Sequence, residues 1–397
     1  MDATGQPKQQ ASIPFYRDQR VLAVIAQAVT VLVVLAFVTW LYTNMLRGLA
    51  QQNLNTSFEF LGQRSGFEVS EGSVFGRAYS SDSTYLEAFG LGLFNTARIA
   101  VTGIILATLL GLVAGIGRLS SNWLVNRIAL TYVEVIRNTP LLVQLVFWYF
   151  AVILQLPNVR QAVKLGPDVY LSQQGLALPW PLVGAAFSSY LPWLAVGVAA
   201  GITAWSYLAR ARRRSGIPNP AGWVALLAFL LPAALGLLAT PGAVEVTRPV
   251  MGTFRLSGGA NLSPEFTALL VALVVYTGAF IAEIVRAGIQ AVHKGQWEAA
   301  RSLGLAYGET LQLVVLPQAL RVIVPPLGNQ FLNLTKNSSL AVAVGYPDLF
   351  NVANTAGNQS GNSVQTFALI LVTYLMLSLL LAAGTNVLNR GARLRTR

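Results

Sequence analysis

Apolar residues in this chain come in long blocks separated by short polar stretches. Eight blocks reach or approach the roughly 20 residues a helix needs to cross a hydrocarbon core: residues 21–42, 89–117, 132–156, 180–208, 223–239, 266–289, 322–344 and 366–388. The first exceeds the roughly 7–15-residue apolar region of a cleaved signal peptide and reads as an uncleaved span. Gly111 and Gly115 in the second have the spacing that lets two helices approach closely. Pro181 and Pro192 predict an irregular or kinked fourth span. A short basic turn with Arg127 joins the second and third blocks. Residues 46–87 read as an exterior loop with some structure of its own, 157–178 and 240–264 as further exterior loops, and 345–363 as an Asn/Gly/Ser-rich connection. The fold class is all-α, a polytopic membrane protein with about eight transmembrane helices.

Charge sets the orientation. In an eight-span count the N-terminal Lys8, Arg17 and Arg20, the cluster Arg210, Arg212, Arg213 and Arg214, the polar stretch after residue 290 and the four arginines of 390–397 share one side. Lys and Arg mark the cytoplasmic side, so both termini are expected there. Net charge is +12, yet only 11% of residues are charged, against about 25% in a soluble domain. Basic residues clustered between apolar blocks point to a membrane protein, not to a nucleic-acid partner. With no cysteine there are no disulfides or thiolate metal sites, and the single His293, beside Lys294, reads as a solvated loop residue. No Gly-Lys-Ser/Thr occurs, so the chain has no P-loop for ATP. No catalytic acid pair, Ser/His/Asp set or metal cluster stands out, so neither catalytic residues nor a metal site is expected and a membrane enzyme is the weakest class.

One long stretch, 295–326, is neither a long apolar run nor Gly/Pro/Asn-rich. Residues 296–303 are good helix formers followed by Gly304, where a helix C-cap is expected. Leu311, Val314 and Val315 then share a helical face. This predicts two short amphipathic helices joined at Gly304, and on shape alone a surface hairpin suffices. The residue order adds more. Glu298-Ala299-Ala300, then Gly304, then Leu316-Pro317 resembles the EAA loop of bacterial ABC importer permeases. The resemblance implies a cytoplasmic loop, about 291–321, that docks on a separate ATPase through Glu298, Ala299, Ala300, Arg301 and Gly304.

Three further stretches resemble the branch of these permeases for polar amino acids (histidine, glutamate, glutamine, arginine and opines). They are Gly92 to Thr96, Tyr132 to Gln144 with Glu134, Arg137 and Pro140, and Tyr276 to Gly288 together with Pro325 to Gln330. The resemblance covers about 88–156 and 264–390, half of the chain, and implies a type I ABC importer permease core in two parts. Most members have about five spans. Here 1–20 is a cytoplasmic segment, 21–87 an extra span with a periplasmic loop, 157–263 an insertion with two extra spans, and 391–397 a basic tail. That layout looks like the larger permease subunit of general L-amino-acid importers. Lys336-Asn337-Ser338-Ser339 departs from the Lys-Asp-Thr-Ser of many members, so an Asp-dependent role there is in doubt. The resemblance implies a bacterial inner-membrane location, a pair of ATPase subunits that hold the ATP, a periplasmic amino-acid-binding protein, and a second permease, with a heterodimer favoured over a homodimer. No cofactor is expected on this chain.

Two sets of polar residues inside spans carry the remaining readings. Glu134 with Arg137, and Glu283 with Arg286, sit at i, i+3 near inner ends, where each pair can lock its helix. As intramembrane ionisable groups they also allow a proton- or ion-coupled secondary transporter. In the seventh span Asn329, Asn333 and Lys336 fall on one helical face with Asn337 at its margin. Lys336 lies about 22 Å beyond Arg321 along a straight helix, past the midplane. It reads as a contact for a substrate carboxylate, or as a structural partner or outer-interface anchor. Arg98, near the outer end of the second span, carries the same pair of readings, with snorkelling to the interface the simpler one.

Overall fold

A computed structural model describes residues 18–51, 57–74, 77–215, 220–252 and 255–392. The polar segment 1–17 and the tail arginines from Arg393 onward lie outside the described residues. Helix α1 (Gln19–Gln51) is the first span and is exposed along its whole apolar length. The loop after it carries a 3-10 turn and two paired two-residue strands, β1 (Ser73–Val74) and β2 (Arg77–Ala78). Helix α2 (Tyr85–Gly117) starts in a capping box: the Glu87 N–H donates to the Thr84 hydroxyl, and the Thr84 N–H donates back to the Glu87 carboxylate.

The expected third span is broken. Arg127 lies within a helix, α3 (Trp123–Arg137), not in a turn, and Tyr132 is well inside that helix. After Pro140 the chain resumes as α4 (Leu141–Val146), extended by a π-helical turn and a 3-10 turn to Gln155, at 106° to α3. Proline has no N–H and pushes the preceding residue out of the helical region, which ends α3 where it does. Gln144 repairs the break: its buried amide donates to the carbonyls of Ile136 and Thr139 at 2.9 and 3.0 Å.

Four strands, β3 (Val163–Gly166), β4 (Val169–Ser172), β5 (Gly175–Leu178) and β6 (Trp180–Val183), occupy the next loop. Pro181 therefore sits in a strand, and the fourth span begins later than its apolar block, as α5 (Phe187–Ser215) with Pro192 inside it. Arg210 is exposed near its end; the side chains of Arg212, Arg213 and Arg214 lie outside the described set. Helix α6 (Ala221–Ala239) returns, followed by β7 (Val244–Thr247), β8 (Val250–Met251), β9 (Leu256–Ser257) and β10 (Ala260–Leu262). The two loops expected to be separate form one antiparallel sheet, ordered β10-β5-β4-β3, while β6 pairs with β7 above the α5–α6 hairpin.

Helix α7 (Pro264–Gln290) is the sixth span, and α8 (Lys294–Ser302) follows it. The second half of the polar stretch is not a separate short helix. A turn labelled α9 (Tyr307–Glu309), a π-helical turn and α10 (Leu316–Asn337) run on as one helical rod to Ala343, so the seventh span starts before residue 322. The stretch read as an Asn/Gly/Ser-rich connection contains a helix, α11 (Leu349–Ser360), capped by Asp348 and ended by Gly361 in the left-handed region. Helix α12 (Ser363–Ala392) is the last span.

Seven helices among the described residues are long and apolar enough to cross a membrane. Counted as one span, the broken pair α3–α4 makes an eighth. Arg118, the C-cap of α2 a few residues before it, reaches Glu283 near the end of α7, and near the finish of the pair Tyr149 donates to Glu265 in the first turn of α7. Those two glutamates are about 27 Å apart along the helix, close to the thickness of the hydrocarbon core.

The core is the long contact of α2 with α7. A Cβ at Gly111 would lie 2.5 Å from the Ile281 side chain, and one at Gly115 would lie 2.8 Å from the Ala282 carbonyl oxygen. Glycine at both positions lets the backbones close on Ile281, Ala282 and Val285, which are buried. Helix α10 packs on α7 and α12, and α11 packs on α2 and α12. Helices α5 and α6 pack on each other.

Candidate functional site

One end of the bundle presents α8. His293 caps it by accepting from the Gly295 N–H, and Gly304 closes it with φ +78°. The Gly304 N–H donates to the Arg301 carbonyl and the Leu305 N–H to the Ala300 carbonyl, the paired bonds of a Schellman motif. Nothing crowds a Cβ at Gly304, so the requirement there is backbone conformation alone. One side of α8 is committed to its own chain: Ala300 is buried, and Trp297 stacks on Tyr307. The other side, Glu298, Ala299 and Arg301, is exposed, and Leu303 at the tip is 82% exposed. The two alanines thus face opposite ways, and only Ala299 is available to a docking partner.

The paired glutamates and arginines behave differently from one another. Glu283 is clasped by Arg286 one turn on and by Arg118 at 3.2 Å. Glu134 and Arg137 are both exposed and make no ion pair with each other; the Arg137 guanidinium lies 5.1 Å over the Phe280 ring. The arrangement ties the C-terminal ends of α2 and α7 together and holds a third cation beside them.

On α10, Asn329, Asn333 and Lys336 are exposed and Asn337 is half-buried, while Ile323, Gly328 and Leu334 are buried on the opposite side. No ion pair of Lys336 occurs among the described residues. Charge facing lipid costs about 2.5–3.5 kcal/mol on insertion scales, so this face requires water or another subunit. This face and α8 are joined through the rod that begins at Tyr307.

The opposite end of the bundle is polar and buried. Arg98 does not snorkel outward: its guanidinium pairs with Glu71 at 2.8 Å and lies 4.4 Å over the Phe266 ring. Thr96 accepts from the Leu349 N–H at 2.9 Å, and Asp348 accepts from the Asn351 N–H and from the Tyr374 hydroxyl. Burial pushes the Asp348 carboxyl up to about 6, against the lowering effect of those bonds. Glu71, Leu303 and Asp348 were not singled out as site residues in the sequence, and Gln144 entered only as the end of a motif. For Gln144 and Asp348 a signal existed, a proline break four residues before and a helix-capping position.

The model of a family described as the binding-protein-dependent transport system inner membrane component matches residues 216–394. The chain is 40% identical to the permease protein AapQ of the general L-amino acid transport system of Rhizobium johnstonii, over 94% of this chain and 92% of the relative. It is 38% identical to a putative amino-acid ABC transporter permease protein, YhdX, of Escherichia coli, over 94% of this chain and 95% of that one. It is 37% identical to the permease protein BztB of the glutamate/glutamine/aspartate/asparagine transport system of Rhodobacter capsulatus, over 96% of each. An apolar bundle with a polar helix face, a capped loop helix at one end and end-to-end likeness to these relatives lead to one assignment: the chain belongs to the multi-pass inner-membrane permeases of amino-acid ABC transporters.

Proposed function

We propose that this chain is the larger permease subunit of an ATP-driven, type I importer of L-amino acids, with both termini in the cytoplasm. Two ATPase subunits hold the ATP and receive the exposed side of α8. A second permease, in a heterodimer, covers the polar face of α10 and completes the path, and a periplasmic binding protein delivers the substrate. One observation carries the reading. The loop helix that presents Glu298, Ala299, Arg301 and Leu303 is followed, after one capped turn, by the rod that bears Asn329, Asn333 and Lys336. A push on α8 is therefore transmitted to the path by a helix, not absorbed by a flexible linker. Glu283, clasped by two guanidiniums, supports a lock at the inner ends and not a proton relay.

The test is Gly304→Val. A β-carbon at positive φ costs roughly 1 kcal/mol or more and is worst for a branched residue. The variant is expected to insert normally but to hydrolyse ATP without uptake, or to lose its ATPase. Wild-type uptake by that variant would remove the coupling assignment.

A further inference from the structure

The loop between α1 and α2 carries Glu71 into the top of the bundle. Its carboxylate bonds Arg98 through Oε1 and the hydroxyl of Ser263, the cap of α7, through Oε2. The Glu71 side chain is 11% exposed and that of Arg98 25%. Below it, Asn95 is fully buried; its amide nitrogen donates to the carbonyls of Glu71 and Pro347 at 3.0 and 2.9 Å. Its Oδ1 has no hydrogen-bond partner among the described residues. That oxygen lies directly under Gly72, where an added Cβ would approach it to 2.9 Å.

These groups have a specific chemistry. Arg98 and Ser263 together receive a carboxylate. Asn95, one turn before Arg98 on the same face of α2, offers an unused buried acceptor, and a buried unsatisfied acceptor is costly. A carboxylate receptor beside a lone acceptor matches the two groups common to every α-amino acid, the carboxylate and the ammonium. The loop is held elsewhere by apolar packing, with Phe60 against Tyr85 and the buried cluster around Leu349, so the Glu71 segment can lift while the loop stays attached. A cavity of about 370 Å³ lined by Glu71, Gln174, Asn261 and Ser263 adjoins it, between the loop and the exterior sheet.

We propose that Arg98, Ser263 and Asn95 form a receptor for the α-carboxylate and α-ammonium of the transported amino acid, filled in this structure by Glu71, which the substrate displaces. The proposal rests on the importer reading and adds to it a site and an internal competitor. The exchange is one carboxylate for another on the same guanidinium, so no charge is left unpaired at Arg98. The lifted Glu71 is rehydrated outside.

Two measurements on the reconstituted complex test it. The chain has no cysteine, so Ser70→Cys with Asn261→Cys, which line the adjoining cavity and leave Glu71, Arg98, Ser263 and Asn95 in place, can be bridged by a short reducible bis-thiosulfonate, each single variant serving as control. Uptake should fall to background on bridging and return on reduction; a bridged complex that transports as well as the reduced one overturns the proposal. In Glu71→Gln the internal carboxylate is gone. ATP hydrolysis without binding protein should then rise several-fold with free L-glutamine, fail to rise with L-glutaminamide, and stay flat for both once Arg98→Gln is added. An equal response to the amide, or none to either compound in an assembled complex, overturns it. If Glu71→Gln fails to assemble, the bridging result decides. Failure of the importer reading looks different: the wild-type complex would then show no ATP-dependent uptake at all.

Discussion

Two helix pairs in this molecule, the parallel pair α2–α7 and the antiparallel pair α5–α6, differ sharply in what they pack on. Helices α2 and α7 close on glycine along much of their length, and the central window of α7 is 56% buried. Helices α5 and α6 also approach through small residues, Gly197 and Gly201 against Phe229, yet the window of α5 is only 6% buried. The first pair joins α3, α10 and α11 into one core; the second is satisfied by itself and by lipid. In a bilayer, burial of apolar surface does not drive helices together, because lipid is as apolar as leucine. Membership of the core is therefore marked by polar and charged ties at the helix ends, such as Arg118 with Glu283 and Tyr149 with Glu265.

The comparison breaks most directly at Gly115. Leucine there would drive its side chain into the Ala282 carbonyl and Val285, and overpacking of this kind costs about 1–3 kcal/mol or more. Gly115→Leu is expected to abolish assembly of the complex, read as loss of the co-purifying ATPase. A smaller and more selective loss is expected at Lys336, on the α10 face that the core leaves open. Lys336→Met should cut uptake while the complex still assembles and hydrolyses ATP; normal uptake, or failure to assemble, would count against a role in the path.

The smallest effect is expected from the largest change. Leu178 in β5 pairs with Ala260 in β10 across an antiparallel ladder. Residues 179–259, with both α5 and α6, can therefore be replaced by a two-residue Asn-Gly turn that closes β5 and β10 as a hairpin. Removing two crossings preserves the sidedness of everything after them. The shortened chain should insert, assemble and transport. Loss of ATPase binding in it would show that the peripheral pair does belong to the core.

The same contrast explains what was readable in the sequence. Apolar blocks announce lipid crossings, so the span count, the α2 glycine spacing and the cap at Gly304 could be read directly. Pro140 carried the signal for the broken span, but the apolar residues around it masked the break. Helix α11 was hidden by its composition, although Leu349, Val352, Ala353 and Ala356 recur at helical spacing behind the Asp348 cap and ahead of Gly361. Glu71 with Arg98, and β5 with β10, join residues far apart in the chain, and no local pattern encodes such pairs. Ala299 and Ala300 look equivalent in the sequence; only packing reveals that one faces inward.

The most direct measurement of the central claim is uptake of a labelled L-amino acid into proteoliposomes holding the full complex, with ATP clamped on the cytoplasmic side and the proton gradient collapsed by an uncoupler. The account predicts unchanged uptake under the uncoupler and none without ATP. Uptake that disappears with the proton gradient alone, or proceeds without ATP, would contradict it and make the Glu283 cluster a relay instead of a lock.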